Sequence, residues 1–129
     1  MATASKLQVV VVDDQMTIRA LVRTGLNQLG IGNVREFGSA AEAWQNIQLQ
    51  SAHVVISDFN MPGMDGLEFL RTMRANSHMA NTAFILLTGR ADKELVARAA
   101  QFGANNYLVK PFTVATLKEK LEQVVGALT

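Results

Sequence analysis

Five short runs of apolar, largely β-branched residues alternate along this chain with five segments whose apolar residues recur at helical spacing, and no other feature restricts the fold as much. The runs cover residues 7–12, which include four successive valines, 33–37, 53–57, 83–87 and 106–109. A run without polar alternation suits a strand covered on both faces, as in parallel sheets. Between the runs, Ile18, Leu21, Val22, Leu26 and Leu29 define a first helical stripe, with Gly30 as its stop. Ser39 and Glu42 make a capping-box pattern ahead of Ala43, Ile47 and Leu49, and Asp65 with Glu68 make an analogous start ahead of Leu67, Leu70 and Met73. Asp92 opens a segment carrying Leu95, Val96, Ala99 and Phe102, closed by Gly103. Thr113 opens another in which Val114, Leu117, Leu121, Val124 and Leu128 share one stripe.

Each parallel return in a sheet needs a right-handed crossover, so a (βα)5 alternation predicts a doubly wound open α/β sheet, with too few units for a TIM barrel. No repeat or Pro/Gly-rich linker divides the chain, and one domain over residues 1–129 is expected. Apolar residues at 49% and charged residues at 18% fit a soluble globular protein and exclude a disordered one. A net charge of only +1 offers no general field for nucleic acid or anionic lipid. The lack of cysteine excludes disulfide scaffolds, thiolate zinc sites and thiol nucleophiles. No stretch approaches the roughly 20 apolar residues of a membrane span, and a cytoplasmic protein is expected.

In an open α/β sheet, ligands bind beyond the carboxyl ends of the strands, where the winding reverses. The first run ends in Asp13-Asp14, the third in Asp58, the fourth in Thr88 and the fifth in Lys110-Pro111. Singly, each has an ordinary explanation: an acidic pair or a lone aspartate can cap a turn, a threonine suits a strand, and a lysine is normally solvated. Together they occupy the one edge where this architecture places ligands. Three carboxylates there repel one another unless a cation joins them. An all-oxygen donor set favours Mg²⁺ over zinc or copper, and Mg²⁺ characteristically combines one or two carboxylates with phosphate oxygens. Lys110 then offers a point charge, and Thr88 a hydroxyl donor, to a phosphoryl group.

The stretches Val-Val-Asp-Asp at 11–14, Ser-Asp-Phe-Asn-Met-Pro-Gly-Met-Asp-Gly at 57–66, Leu-Leu-Thr-Gly at 86–89 and Tyr-Leu-Val-Lys-Pro-Phe at 107–112 resemble response-regulator receiver domains, in order and spacing, from Val9 to about Leu128. The resemblance implies a flavodoxin-like five-stranded parallel sheet in the order 2-1-3-4-5. It implies a phosphoryl group accepted by Asp58 from a histidine kinase, assisted by Lys110 and Thr88. Asp13, Asp14, Asp58 and the backbone carbonyl of Asn60 would be the Mg²⁺ ligands, and the protein would promote its own modification rather than turn over a substrate. Thr88 and Tyr107 would form the switch, read out on the face of the fourth helix, fifth strand and fifth helix, although a half-buried strand aromatic is an equally ordinary role for Tyr107. The Lys110-Pro111 bond is expected to be cis, and Gly66 to relieve crowding after the loop at residues 61–65, where a glycine can take backbone angles closed to other residues.

Asn60-Met61-Pro62 and the Lys-Pro-Phe-Thr ending resemble the chemotaxis CheY type more than transcription-factor receivers. That implies a freestanding monomer with a CheA-like kinase as donor and a flagellar motor switch protein as partner. The alternative is a phosphate sink or a stand-alone receiver in another pathway, kept open by Gln15-Met16 after the acidic pair and by Gly89-Arg90 after Thr88. Two enzyme classes fit less well. A dehalogenase-like phosphatase wants Asp-x-Asp at the first strand, and an FMN carrier wants a phosphate loop rich in Ser, Thr and Gly, where this chain has Gln15-Met16-Thr17. Trp44 reads as a partly buried helix residue, His53 and His78 lack a metal or triad pattern, Met61 and Met64 read as loop packing, and Lys118 and Lys120 beside Glu119 and Glu122 as a solvated helix face.

Overall fold

The valine run forms the strand β1 (Gln8–Val12), and the reason it lacks alternation is visible in what each face touches. Val9 and Val11 point into one hydrophobic core and Val10 and Val12 into another, all four without solvent exposure. Side chains two residues apart share a face, so a strand between two cores must be apolar throughout. The computed structural model describes residues 2–89 and 92–129. Its other strands are β2 (Asn33–Phe37), β3 (Val54–Asp58), β4 (Ala83–Thr88) and β5 (Asn106–Val109), all parallel, in the order β2-β1-β3-β4-β5.

Helices α1 (Met16–Gln28) and α5 (Val114–Val125) cover one face through Val22, Leu26, Leu117 and Leu121. Helices α2 (Ala40–Leu49), α3 (Gly66–Ala75) and α4 (Lys93–Gln101) cover the other through Ala43, Ile47, Phe69, Leu70, Met73 and Ala99. Four helix starts follow the cap signals in the sequence. The side chains of Ser39, Asp65, Asp92 and Thr113 accept backbone N–H bonds from Glu42, Glu68, Glu94 with Leu95, and Thr116. Gly30 and Gly103 follow their helices with φ of 87° and 101°, a backbone region that suits glycine. Among the described residues no helix is long and apolar enough to cross a membrane.

Two apolar residues of the helical stripes do not enter the core, and a third, Leu128, packs against it from outside its helix. Leu21 is 55% exposed, because one residue on a helix turns the side chain about 100° away from its buried neighbour Val22. Leu49 is 90% exposed, two residues and so about 200° around from buried Ile47. Leu128 is not on the α5 stripe at all. The helix stops at Val125, Gly126 takes φ 87°, and Leu128 instead pairs with Ala2 in an isolated parallel bridge. Trp44 and Met64 are half-buried against the second core, and Met61 is buried within it.

The register sets the position of the functional edge. Val12 pairs with Ser57, so the next residues of the two chains, Asp13 and Asp58, emerge side by side. Thr88 pairs with Val109, which places Lys110 immediately beyond it, and the Lys110 N–H donates to the Thr88 carbonyl at 2.7 Å. The Lys110-Pro111 peptide is cis, as expected.

Gly66 relieves crowding as expected, but not through its backbone angles. It does not take a positive φ, which in this loop belongs to Gly63 at 77°. Its reason is proximity: a β-carbon there would stand 2.4 Å from the Asp58 carbonyl oxygen and 3.0 Å from the Phe59 Cα. The Gly66 N–H donates to the Phe59 carbonyl at 2.9 Å, binding the start of α3 against the end of β3. Because backbone cannot yield as a side-chain tip can, Gly66→Ala is expected to lower stability by about 2–3 kcal/mol. The midpoint of urea unfolding measures this, and an unchanged midpoint would contradict the close packing of α3 on β3.

Candidate functional site at the carboxyl edge of the sheet

The two central strands deliver carboxylates into a poorly solvated place. Asp13 has no exposed surface and Asp58 only 6%, while Asp14, at the start of the loop to α1, is exposed. One carboxylate oxygen from each of the three lies within 4.8 Å of the others. Lys110 reaches in from the end of β5, its Nζ 3.2 Å from Asp58 Oδ1 and 3.5 Å from Asp13 Oδ2. Asp13 is further held by the Gln15 N–H, which donates to its Oδ1 at 2.8 Å.

Three carboxylates therefore cluster, and two of them share one ammonium. Burial pushes the Asp58 carboxyl above its ordinary range, the Asp13 charge pushes it further, and Lys110 only partly offsets them. A site in which a buried acid stays uncomfortable beside its lysine partner has charge to spare for a cation. Its donors are all oxygen, so the fit is to a hard divalent ion.

Thr88 is buried at the end of β4, 4% exposed, beside a groove of about 400 Å³ between the β3 end and α4. Asn60 and Phe59 line that groove on one side and Asp92, Leu95 and Arg98 on the other. Asn60 is exposed two residues after Asp58. The edge thus brings together Asp13, Asp14, Asp58 and Lys110 in one cluster, with Thr88 and Asn60 on the adjoining groove. Tyr107 is not at this edge: it is half-buried on β5 against the second core. Arg90 lies outside the described residues.

Lys120 departs from the solvated face read from the sequence. Its Nζ sits 4.6 Å from the centre of the Tyr107 ring, a cation–π contact. His53 accepts the Gln8 N–H on Nδ1 at 2.9 Å and, like His78, is exposed and away from the acidic cluster.

Sequence reasoning missed Arg19 and Glu36. Arg19 donates from Nη1 to the Asp13 backbone carbonyl at 2.6 Å, and its Nε stands 3.7 Å from Glu36 Oε1. Arg23 meets the other Glu36 oxygen at 2.5 Å. An arginine in the first turns of a helix reads as a solvated charge, and only the pairing of β1 with β2 brings Glu36 across from it.

The family model described as the response regulator receiver domain matches residues 9–122, and the chain belongs to that family. Its members are phosphoacceptors rather than turnover enzymes. The chain is 47% identical over 128 residues to a probable chemotaxis protein CheY of Rhizobium etli, covering 99% of each. It is 37% identical over 122 residues to the chemotaxis protein CheY-3 of Vibrio cholerae, covering 95% of this chain and 94% of that one. Among solved structures, the Vibrio cholerae chemotaxis protein CheY4 superposes with a TM-score of 0.86 at 35% identity, over 95% of this chain and 99% of that one.

The raised carboxyl of Asp58 has a signed consequence. The folded protein holds this proton at pH values where the unfolded chain, with an ordinary carboxylate, has released it. Its contribution is therefore most favourable below the ordinary carboxylate range and is lost as pH rises through the elevated value. Asp58→Asn, which cannot ionise, is expected to raise the metal-free urea midpoint at neutral pH. The gain should shrink as pH falls to about 4 and below, where the unfolded chain takes up the proton that the folded protein already holds. A gain that grew on acidification would contradict this assignment.

Proposed function

We propose that residues 1–129 act as one receiver domain that takes a phosphoryl group onto Asp58 from the phosphohistidine of a CheA-like kinase and passes the signal on by docking, in chemotaxis. The observation that carries this reading is the buried Asp58 carboxylate, at 6% exposure, with the Lys110 ammonium 3.2 Å away. Asp58 attacks phosphorus, a P–O bond forms as the P–N bond breaks, and the histidine leaves with the bonding electron pair. Lys110 neutralises charge on the phosphoryl oxygens, and the rigid ends of β3 and β5 keep the two side chains in place, which is most of what phosphoryl transfer asks of a protein.

Asp13, Asp14, Asp58 and the Asn60 backbone carbonyl would hold Mg²⁺, which when bound supplies positive charge to the phosphoryl oxygens. The same groups promote hydrolysis of the aspartyl phosphate, so the modification is self-catalysed in both directions. Thr88, buried beside the groove, hydrogen-bonds the phosphoryl group. Tyr107 responds to it, altering the face formed by α4, β5 and α5. A flagellar motor switch protein reads that face, with a coupling on the order of 1–3 kcal/mol. The names of the relatives support chemotaxis as the pathway, and the protein works as a cytoplasmic monomer.

Incubation with acetyl phosphate and Mg²⁺, followed by intact mass, tests the reading. Wild type is expected to gain one phosphoryl group, Asp58→Asn none, and Lys110→Ala to react about 100-fold more slowly. Equal modification of Asp58→Asn, or modification indifferent to Mg²⁺, would sink it. Tighter retention of the modified form on immobilised motor switch protein tests the pathway.

A further inference from the structure

We infer that Arg19 is a positioning residue for the acidic cluster, clamping the backbone of Asp13 so that its carboxylate is presented for a divalent cation. This rests on the site reading above. Three contacts converge on the loop from β1 to α1. The Arg19 guanidinium donates to the Asp13 carbonyl at 2.6 Å, the Gln15 N–H donates to Asp13 Oδ1 at 2.8 Å, and the Asp13 N–H donates to the Phe37 carbonyl at 3.2 Å. Asp13 is thereby held at its amide, its carbonyl and one carboxylate oxygen, and its remaining oxygen is the one that faces Lys110. The backbone contact to β2 is present in any such sheet, and the Gln15 contact is local to the loop. Arg19 alone reaches in from a helix.

The guanidinium is itself braced. Its Nε faces Glu36 Oε1 at 3.7 Å, and the other Glu36 oxygen is occupied by Arg23. Only 18% of the Arg19 side chain and 21% of that of Glu36 remain exposed. A planar fork holds the carbonyl and the carboxylate in one fixed geometry, whereas a lysine ammonium on a flexible stem is a less pre-organised point charge. Glu36 also offsets the arginine's charge, so the clamp adds little positive potential to a site that must attract a cation. Groups that fix the orientation of metal ligands without touching the metal typically change its affinity about 10-fold or more when removed.

The sign separates positioning from electrostatics. If Arg19 acted only as a nearby cation, its removal would tighten Mg²⁺ binding; if it positions Asp13, removal weakens it. Titration of the full chain with Mg²⁺ alone, followed through the backbone amide resonances of Gln15 and Asp58, reads this without any phosphodonor. Arg19→Ala is expected to raise the Mg²⁺ dissociation constant about 10-fold, with Arg19→Lys in between. Arg23→Ala, which leaves the bond to the Asp13 carbonyl intact, should stay within about twofold of wild type. Should Arg19→Ala fail to fold, Arg19→Lys decides: weaker binding supports the clamp, and wild-type or tighter binding overturns it. A folded Arg19→Ala with unchanged or tighter binding overturns the clamp while leaving the site reading intact. A wild-type protein that takes up no Mg²⁺ overturns both.

Discussion

An excess of buried negative charge at the edge of the sheet is the constraint on which the rest of this structure turns. Two carboxylates almost without solvent share one ammonium beside a third carboxylate at the rim, so the folded protein carries an electrostatic cost there. Nothing in the hydrophobic cores calls for it, and a neutral edge would be more stable. A fold retains such an arrangement where the charge is used, and in the function proposed above a cation offsets it and so makes room for a phosphoryl dianion.

That cost is sustainable because the groups are attached to the stiffest part of the molecule. Asp13 and Asp58 sit one residue beyond paired positions of β1 and β3, strands sealed between two apolar layers. Lys110 follows the last rung between β4 and β5. The absence of a side chain at Gly66 lets α3 press against the β3 end, and Arg19 ties the β1 end to its helix. The clustered charged side chains thus stand on backbone that has little freedom to move apart in response to their repulsion.

Much of this was legible in the sequence, for identifiable reasons. The unbroken Val9–Val12 run, covered on both faces, signalled a parallel sheet, and Ser39, Asp65, Asp92 and Thr113 each marked a helix start that their side-chain caps bear out. The acidic pair, Asp58, Thr88 and Lys110 could be placed on one edge because each follows an apolar run directly. Leu21, Leu49 and Leu128 were misread because apolar identity says nothing about the angle at which a helix meets its sheet or the residue at which it stops. Lys120 and Glu36 were misread or overlooked because their partners, Tyr107 and Arg19, come from other elements of the chain.

The sequence by itself determined the kinds of element, their order and the chemical groups at each strand end, since these depend on residues a few positions apart. Tertiary structure alone decided the distances among the carboxylates, how deeply Asp58 is buried, which arginine supports Asp13, and that it is the Asp58 carbonyl and Phe59 backbone that crowd Gly66. The division has one physical cause. Propensity and periodicity act along the chain, whereas desolvation, charge repulsion and steric contact act through space, between residues whose separation only the folded packing defines.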